Sequence, residues 1–515
     1  MTDRVAVLGT LFCLVVILNQ FLKSSNRYTH GSPPDPPETR LPTKLPWKRY
    51  YEWFQTSSHP VMSLSLPGNR KVLLVSGMEA LHTLYTTRSS IYSTRPLWRM
   101  ARLIGRQNNV AFTPYGEKLK TARRFLISTL GQKQITNWGA LLDKEVTLVM
   151  KNLLELDNSK RDSEVSDLIH LHISDIVTLL TYGHRATPQY IAESEAIGHD
   201  TGLSLIPGKW AIEGFPFLQY IPANLPGMNF KRWAMQAKTR FEALVGHEFE
   251  QVQKGMEDKT APSCFVSDTL ANGVNPKDMP ILKSTAGSLY SAATDTTTAI
   301  LHSALYLLAL HPTIQKKAYS YLSSYTSPPS ISDESSLPYI TAITRELHRF
   351  RPVVTLINHA PLSDDVYEDW RIEKGIWVMG NLWSVCHNEE IYPEPELFVP
   401  ERHLDALGQI DPTVRDPRSV TFGFGRRRCP GENFANAHVF LFLSRLLWLF
   451  EILPGDKLAS SIADYNNRVN GTSIDKQDLL EYTSTFISGP KKENFDVKLR
   501  LRNEALRESF LSYST

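Results

Sequence analysis

A mainly α-helical body with a minor β part, forming a single large unit behind one N-terminal apolar helix, is the architecture the sequence predicts. Three observations predict it. Six stretches, 139–157, 164–182, 230–254, 281–310, 339–350 and 433–452, carry apolar residues at helical spacing. One stretch, 353–380, alternates and carries turn residues, so it reads as short strands. An apolar run opens the chain, and a tract rich in proline follows it. The 515 residues are 42% hydrophobic and 21% charged, which excludes a disordered chain or a coiled coil. Lys+Arg 56 against Asp+Glu 53 leaves +3, so no overall charge calls for a nucleic acid partner. Four cysteines, Cys13, Cys264, Cys386 and Cys429, are too few for a disulfide framework in a chain this long, which fits a reducing compartment.

In chain order, residues 1–22 read as a transmembrane anchor. Val5 to Leu22 is interrupted by Thr10 and Asn19-Gln20, and its 18 residues reach about 27 Å at the helical rise. That length matches a thin endoplasmic-reticulum bilayer. A cleaved signal peptide is the alternative, but no Ala-x-Ala site follows. Lys23 and Arg27 after the run, against Arg4 before it, put the body on the cytosolic side. There Asn470-Gly471-Thr472 would be a turn and not a glycan acceptor. Residues 23–46 hold Pro33, Pro34, Pro36, Pro37, Pro42 and Pro46 and predict a stiff spacer. The body spans 47–515. It opens on a β-hairpin, Val61–Leu66 and Val72–Val75, around Pro67-Gly68-Asn69.

Near the C-terminus stands Phe422-Gly423-Phe424-Gly425-Arg426-Arg427-Arg428-Cys429-Pro430-Gly431, followed by an apolar helix from about Asn433. One thiol lies among three arginines at a helix N-terminus, a setting that favours thiolate and predicts a lowered pKa. The glycines let the backbone approach a flat group and turn amide N–H groups toward the sulfur. A basic loop around a structural cysteine is the plain alternative. A dinucleotide loop is excluded, because Arg428 stands where its third glycine would be. The pattern F-x-x-G-x-R-x-C-x-G resembles the cytochrome P450 family of haem-thiolate monooxygenases. The resemblance implies the cytochrome P450 fold, haem b as cofactor and Cys429 as its axial iron ligand. It also gives Arg427 a haem propionate and makes Phe422, Gly425 and Gly431 parts of the haem seat.

Other motifs stand in the order that family has. Glu346 and Arg349 lie three apart on a predicted helix and share a face; with Arg402, the resemblance implies a buried structural triad. Ala292-Ala293-Thr294-Asp295-Thr296-Thr297 sits within the stretch 281–310, where threonine hydroxyls can bond back to the i−4 carbonyl and bend the axis. The resemblance makes Asp295 and Thr296 a catalytic acid and alcohol that manage protons for oxygen cleavage. Ala293 stands where the family most often has glycine. His359 and Arg123 match positions of propionate partners, with a plain loop histidine as the alternative for His359. Leu119 replaces the tryptophan that usually precedes the position of Arg123.

Substrate walls are implied at 103–111, at Leu289, Ala292 and Ala293, at Val353, Val354 and Leu356, and at Phe486 and Ile487. These stretches are mostly apolar, which suits a lipophilic substrate. A basic set, Lys118, Lys120, Arg123, Arg124, Arg426 and Arg428, would face an acidic electron donor. The resemblance names NADPH-cytochrome P450 reductase as that partner, assisted by cytochrome b5. Stretches such as 216–222 and 226–232 are similar to fungal members of the O-methylsterigmatocystin oxidoreductase type, which implies secondary metabolism of a terpenoid, polyketide or indole compound. Two alternatives stand: a haem-thiolate isomerase or dehydratase independent of O2, and a non-catalytic haem sensor. Turnover without reductant would identify the first, and absence of any turnover the second.

Overall fold

Ten of the helices build the body around the cysteine loop: α1 (Pro46–Gln55), α2 (Glu117–Leu130), α3 (Ile135–Glu155), α4 (Asp162–Tyr182), α5 (Pro188–Ser204), α6 (Asn229–Glu257), α7 (Met279–Leu310), α8 (Pro312–Leu322), α9 (Pro338–Phe350) and α10 (Glu432–Leu449). The computed structural model describes residues 33–38, 42–66, 70–156, 162–206, 208–469, 481–483, 487–491 and 495–513. The expected anchor at 1–22 and the Asn470-Gly471-Thr472 turn lie outside the described residues. Among these, no helix is long and apolar enough to cross a membrane.

Each of the six stretches with helical spacing is a helix. The last ends early: Phe450–Pro454 leaves α10 and becomes a strand. The strands are β1 (Val61–Leu66), β2 (Arg70–Val75), β3 (Leu356–His359), β4 (Asp365–Tyr367), β5 (Trp370–Ile372), β6 (Trp377–Asn381), β7 (Phe450–Pro454) and β8 (Val497–Leu501). One sheet runs β1-β2-β6-β3, with β2 and β6 parallel. β6 is buried along its whole length, as a strand covered on both faces must be. β1 is an edge strand whose outward amides need acceptors. The Pro34 carbonyl takes the Ser63 N–H at 2.9 Å, so this part of the expected spacer lies along the sheet.

The main core forms where α7 crosses α4, α9 and α10. Every residue of α7 from Ala299 to Leu310 is buried, the state expected of a helix apolar on all sides. Leu301, Leu305 and Leu308 share this core with Ile343, Leu347, Leu446 and Trp448. Where α6 passes α7, a Cβ on Gly287 would come within 2.5 Å of Val245, so the glycine sets how closely the helices approach. This packing fixes the middle of α7.

Candidate functional site

The cysteine loop is held by its own backbone. The Cys429 N–H donates to the Phe422 carbonyl at 2.8 Å, closing the loop just ahead of α10. Gly423 and Gly425 both have positive φ, +79° and +50°, which only glycine adopts at little expense. A Cβ on Gly425 would stand 2.3 Å from the Tyr85 carbonyl oxygen, a backbone atom that cannot swing aside. Gly425→Ala is therefore expected to lower unfolding stability by about 2 kcal/mol or more, the sum of backbone strain and displaced packing. Urea denaturation reads this directly, and a variant as stable as the parent would show that the loop is free to move away from Tyr85.

Cys429 is the one exposed cysteine among those described; Cys264 and Cys386 are buried. Burial nevertheless pushes the Cys429 thiol upward, against a lowering by the Gly431 N–H, Arg123 and Arg428. A sulfur both accessible and hemmed in by protein opens onto an internal space. The upward direction corrects the expectation from the three arginines, because burial outweighs them and each guanidinium is engaged elsewhere. Arg428 forms a two-pronged pair with Glu432, at 2.6 and 2.7 Å. Arg426 donates outward to the Tyr115 hydroxyl. Arg427 turns inward to the carbonyls of Ser93, Val110 and Thr113.

Arg427 has cationic company. Burial first, then Arg95 and Arg123, push it down to about 8, and burial pushes Arg95 to about 10. Among the described residues these three arginines donate to backbone carbonyls and none pairs with a carboxylate. Three guanidinium groups gathered without an anion form a seat for one. The sequence reading missed Arg95. Its partners are the carbonyls of Ala111 and of Asn358, the latter 263 residues away, and no local pattern marks it. His359, buried in β3, has its Nδ1 2.6 Å from the Tyr92 carbonyl and packs 4.3 Å from the Tyr85 ring. That contact assigns the proton to Nδ1. Burial, then Arg95, keeps the ring neutral. Leu119 is buried in α2 and offers no hydrogen bond. In the expected basic patch, Lys118, Lys120, Arg124 and Arg426 remain at the surface, while Arg123 and Arg428 are drawn inward.

In the middle of α7, Ala292 and Asp295 are exposed and Ala293 and Thr296 half-buried, although the helix is deeply buried beyond them. The Thr296 hydroxyl donates to the Ala292 carbonyl at 2.7 Å, and that of Thr294 to Tyr290 at 3.0 Å, the back-bonding expected from the sequence. Burial, then the nearby Glu195, pushes Asp295 up to about 6. Leu289 joins the main core. Ser288 and Ser291 of α7 meet the 103–111 segment, through the Val110 N–H and the Asn109 side chain. Val353 accepts the Ser488 N–H at 2.7 Å, next to half-buried Ile487. Val354 packs on the core beneath the cysteine loop, and Leu356 on the one containing Trp377. Phe486 lies outside the described residues.

Behind the cysteine loop, Glu346 is fully buried in α9. Arg349 grips both its oxygens, at 2.8 and 2.9 Å, and the Arg402 Nε reaches Oε1 at 3.1 Å. Two further donors were not expected: His403 Nε2 at 2.9 Å and the Val399 N–H at 2.9 Å. His403 follows Arg402 directly, but nothing in the sequence says that both turn toward Glu346. Burial alone would raise the Glu346 carboxyl; Arg349 and His403 outweigh it and hold the group at about 2.

The comparisons with known proteins agree with this geometry. The family model Cytochrome P450 matches residues 40–464. The chain is 29% identical to cytochrome P450 monooxygenase claR of Ampulloclitocybe clavipes, over 84% of this chain and 81% of that protein. It is 29% identical to cytochrome P450 monooxygenase ple1 of Rhodocybe pseudopiperita, over 95% and 93%. Tryptamine 4-monooxygenase of Psilocybe cyanescens is also 29% identical, over 82% and 86%. The chain belongs to the cytochrome P450 family and is one of its monooxygenases.

Proposed function

We propose that this monooxygenase uses haem b ligated by Cys429 to hydroxylate or otherwise oxidise a lipophilic small molecule of fungal secondary metabolism. One observation carries the reading: an accessible thiol stands near buried Arg427 and half-buried Arg95 and Arg123, which have no carboxylate partner among the described residues. A haem would supply both missing complements, a metal for the sulfur and two carboxylates for the arginines. The residues present fit the group. When bound, haem iron activates dioxygen, so that one oxygen atom enters a C–H bond of the substrate and the other leaves as water. Cys429 would ligate as thiolate, since a coordinating metal removes the thiol proton and reverses the effect of burial. Arg95, Arg123 and Arg427 would bind the carboxylates. His359 could join them only on gaining a second proton, because its first serves Tyr92. Phe422, Gly425 and Gly431 would shape the seat, and Glu346, Arg349 and Arg402 would hold it rigid.

Asp295 and Thr296 would hold and pass protons from the middle of α7. Thr296→Ala is expected to keep the haem but divert reducing equivalents to hydrogen peroxide, with the productive rate falling by about 100-fold. Peroxide released per NADPH consumed measures it, and an unchanged ratio removes Thr296 from the proton role. The substrate space would be walled by Leu289, Ala292, Ala293, Val353, Val354, Leu356, Phe486 and Ile487. An indole substrate is the class that the name of the Psilocybe relative brings to mind; terpenoids and polyketides suit the same apolar walls.

Residues 1–22 would anchor the chain in the endoplasmic-reticulum membrane, and 23–46 would link it to a cytosolic catalytic domain, 47–515. Electrons would come from NADPH through NADPH-cytochrome P450 reductase, assisted by cytochrome b5 and met by Lys118, Lys120, Arg124 and Arg426. The test is reconstitution of the chain with that reductase, supplied with metabolites that accumulate in a strain lacking it. Product formed only with NADPH and O2, and carrying one atom of labelled oxygen, is the expected result; turnover without reductant overturns it.

A further inference from the structure

The strongest unexplained feature lies on the side of α7 that faces α4, α5 and α6. A cavity of about 40 Å3 lies there, lined among others by His170, Glu195, Gly198, Tyr290 and Asp295. A single water needs about 10–15 Å3 of such space, so a short file of waters fits. Asp295 forms part of the cavity wall and has no hydrogen bond or ion pair to protein among the described residues. Glu195 lines it too; its side chain is 58% exposed and its Oε1 lies 3.6 Å from His170 Nδ1. Gly198 makes the room: a Cβ there would stand 3.7 Å from Asp295 Oδ2.

We propose that Glu195 is the solvent end of a proton inlet, and that protons pass from it through cavity water to Asp295. This rests on the reading of Asp295 and Thr296 given above. Each passage moves one proton, and one turnover takes two: Glu195 takes the proton from bulk water, a cavity water carries it to an Asp295 oxygen, and Asp295 passes it toward Thr296. No electron moves, and no other reactant is needed. The charged and titratable groups facing Asp295 are Glu195 and Tyr190 from α5, His170 from α4 and Tyr290 of its own helix; α6 presents Phe241, Leu244 and Val245. Arg240 of α6 is engaged by Glu193 and Asp200. Among the described residues no lysine or arginine pairs with Asp295, and burial, then Glu195, pushes its pKa up to about 6, where it can both take and release a proton.

Two variants probe the inlet without touching Asp295. Glu195→Gln removes the outer acid, and its loss of charge lowers the pKa of Asp295. Gly198→Ala places a methyl group in the water path at ordinary contact distance, on a helix that favours alanine over glycine. The holoenzyme with reductase and NADPH, without organic substrate, reports the share of consumed O2 that appears as hydrogen peroxide. Infrared titration of the carboxylic acid band, assigned by its loss in Asp295→Asn, reports the Asp295 midpoint independently of turnover. Expected are a lower midpoint in Glu195→Gln, a pH profile of peroxide release displaced the same way, and a several-fold larger peroxide share in both variants. If Asp295→Asn raises the peroxide share while Glu195→Gln and Gly198→Ala match the parent in share and midpoint, the inlet is overturned and the Asp295 reading survives. If Asp295→Asn also matches the parent, that reading fails and takes the inlet with it.

Discussion

Cys429→Ala is expected to abolish the absorption band that thiolate-ligated haem gives when the dithionite-reduced protein is exposed to carbon monoxide, and to reduce monooxygenation to background. Alanine has no atom to offer a metal. The arginine seat would survive the change, because the contacts of Arg95, Arg123 and Arg427 are to backbone carbonyls. Haem could still enter through its carboxylates, but without the sulfur that donates electron density to it. Cys429→Ser separates ligation from shape, since the hydroxyl keeps the size of the side chain and not its ligand chemistry. The control is Cys264→Ser. Cys264 is buried at the start of the helix Phe265–Ala271, and a serine there keeps a group able to cap that helix, so the band should persist. Cys386 is buried and its thiol is pushed up to about 12, which leaves it a poor ligand. Retention of the thiolate band in Cys429→Ala would remove the cysteine loop from the site altogether.

What was legible in the sequence was what is local. The cysteine loop is ten consecutive residues whose hydrogen bond, Cys429 to Phe422, closes within the motif, so its identity and shape could be read together. Glu346 and Arg349 are three apart on one helix, so their pairing follows from helical spacing. The electrostatics of the sulfur were not local. Arg428 belongs to Glu432 four residues on, a spacing present in the sequence, but the inward course of Arg427 depends on Ser93 and Thr113, more than 300 residues earlier. Burial, which no motif records, then decides the direction of the thiol. Arg95 was invisible for the same reason. Helix α5 was missed because its residues do not form one apolar stripe: Tyr190, Ser194, Glu195 and Gly198 face the cavity together. A helix that lines a cavity and not a core loses the periodicity by which helices are read.

Glu346→Ala should lower unfolding stability more than Gly425→Ala does. Glu346 and Arg349 are both at 0% exposure, so neither charge is solvated by water and each has the other as a partner. Removing the carboxylate leaves Arg349 buried with carbonyl partners alone, at Cys386, Pro395 and Leu397, and takes the acceptor from Arg402, His403 and the Val399 N–H. Breaking one side of such a buried pair costs about 3–5 kcal/mol. The pH dependence gives an independent figure. The carboxyl falls from 4.5 to about 2 on folding, which corresponds to about 3 kcal/mol of stabilisation. A depressed folded value means that this stabilisation is present above about 4.5 and is lost as pH falls toward 2. The parent should therefore lose stability steeply across that interval, and Glu346→Ala should lack this part of the acid dependence while being weaker at neutral pH. Urea unfolding at pH 7 and at pH 3 measures both. Because Arg349 and Arg402 tie α9 to segments 386–397 and 393–402, the variant should also release bound haem faster, although the bonds of Glu346 are to Arg349, Val399, Arg402 and His403 and not to the cysteine loop. Equal stability of parent and variant at pH 7 would mean that the buried carboxylate only balances its own desolvation and that packing alone holds α9 in place.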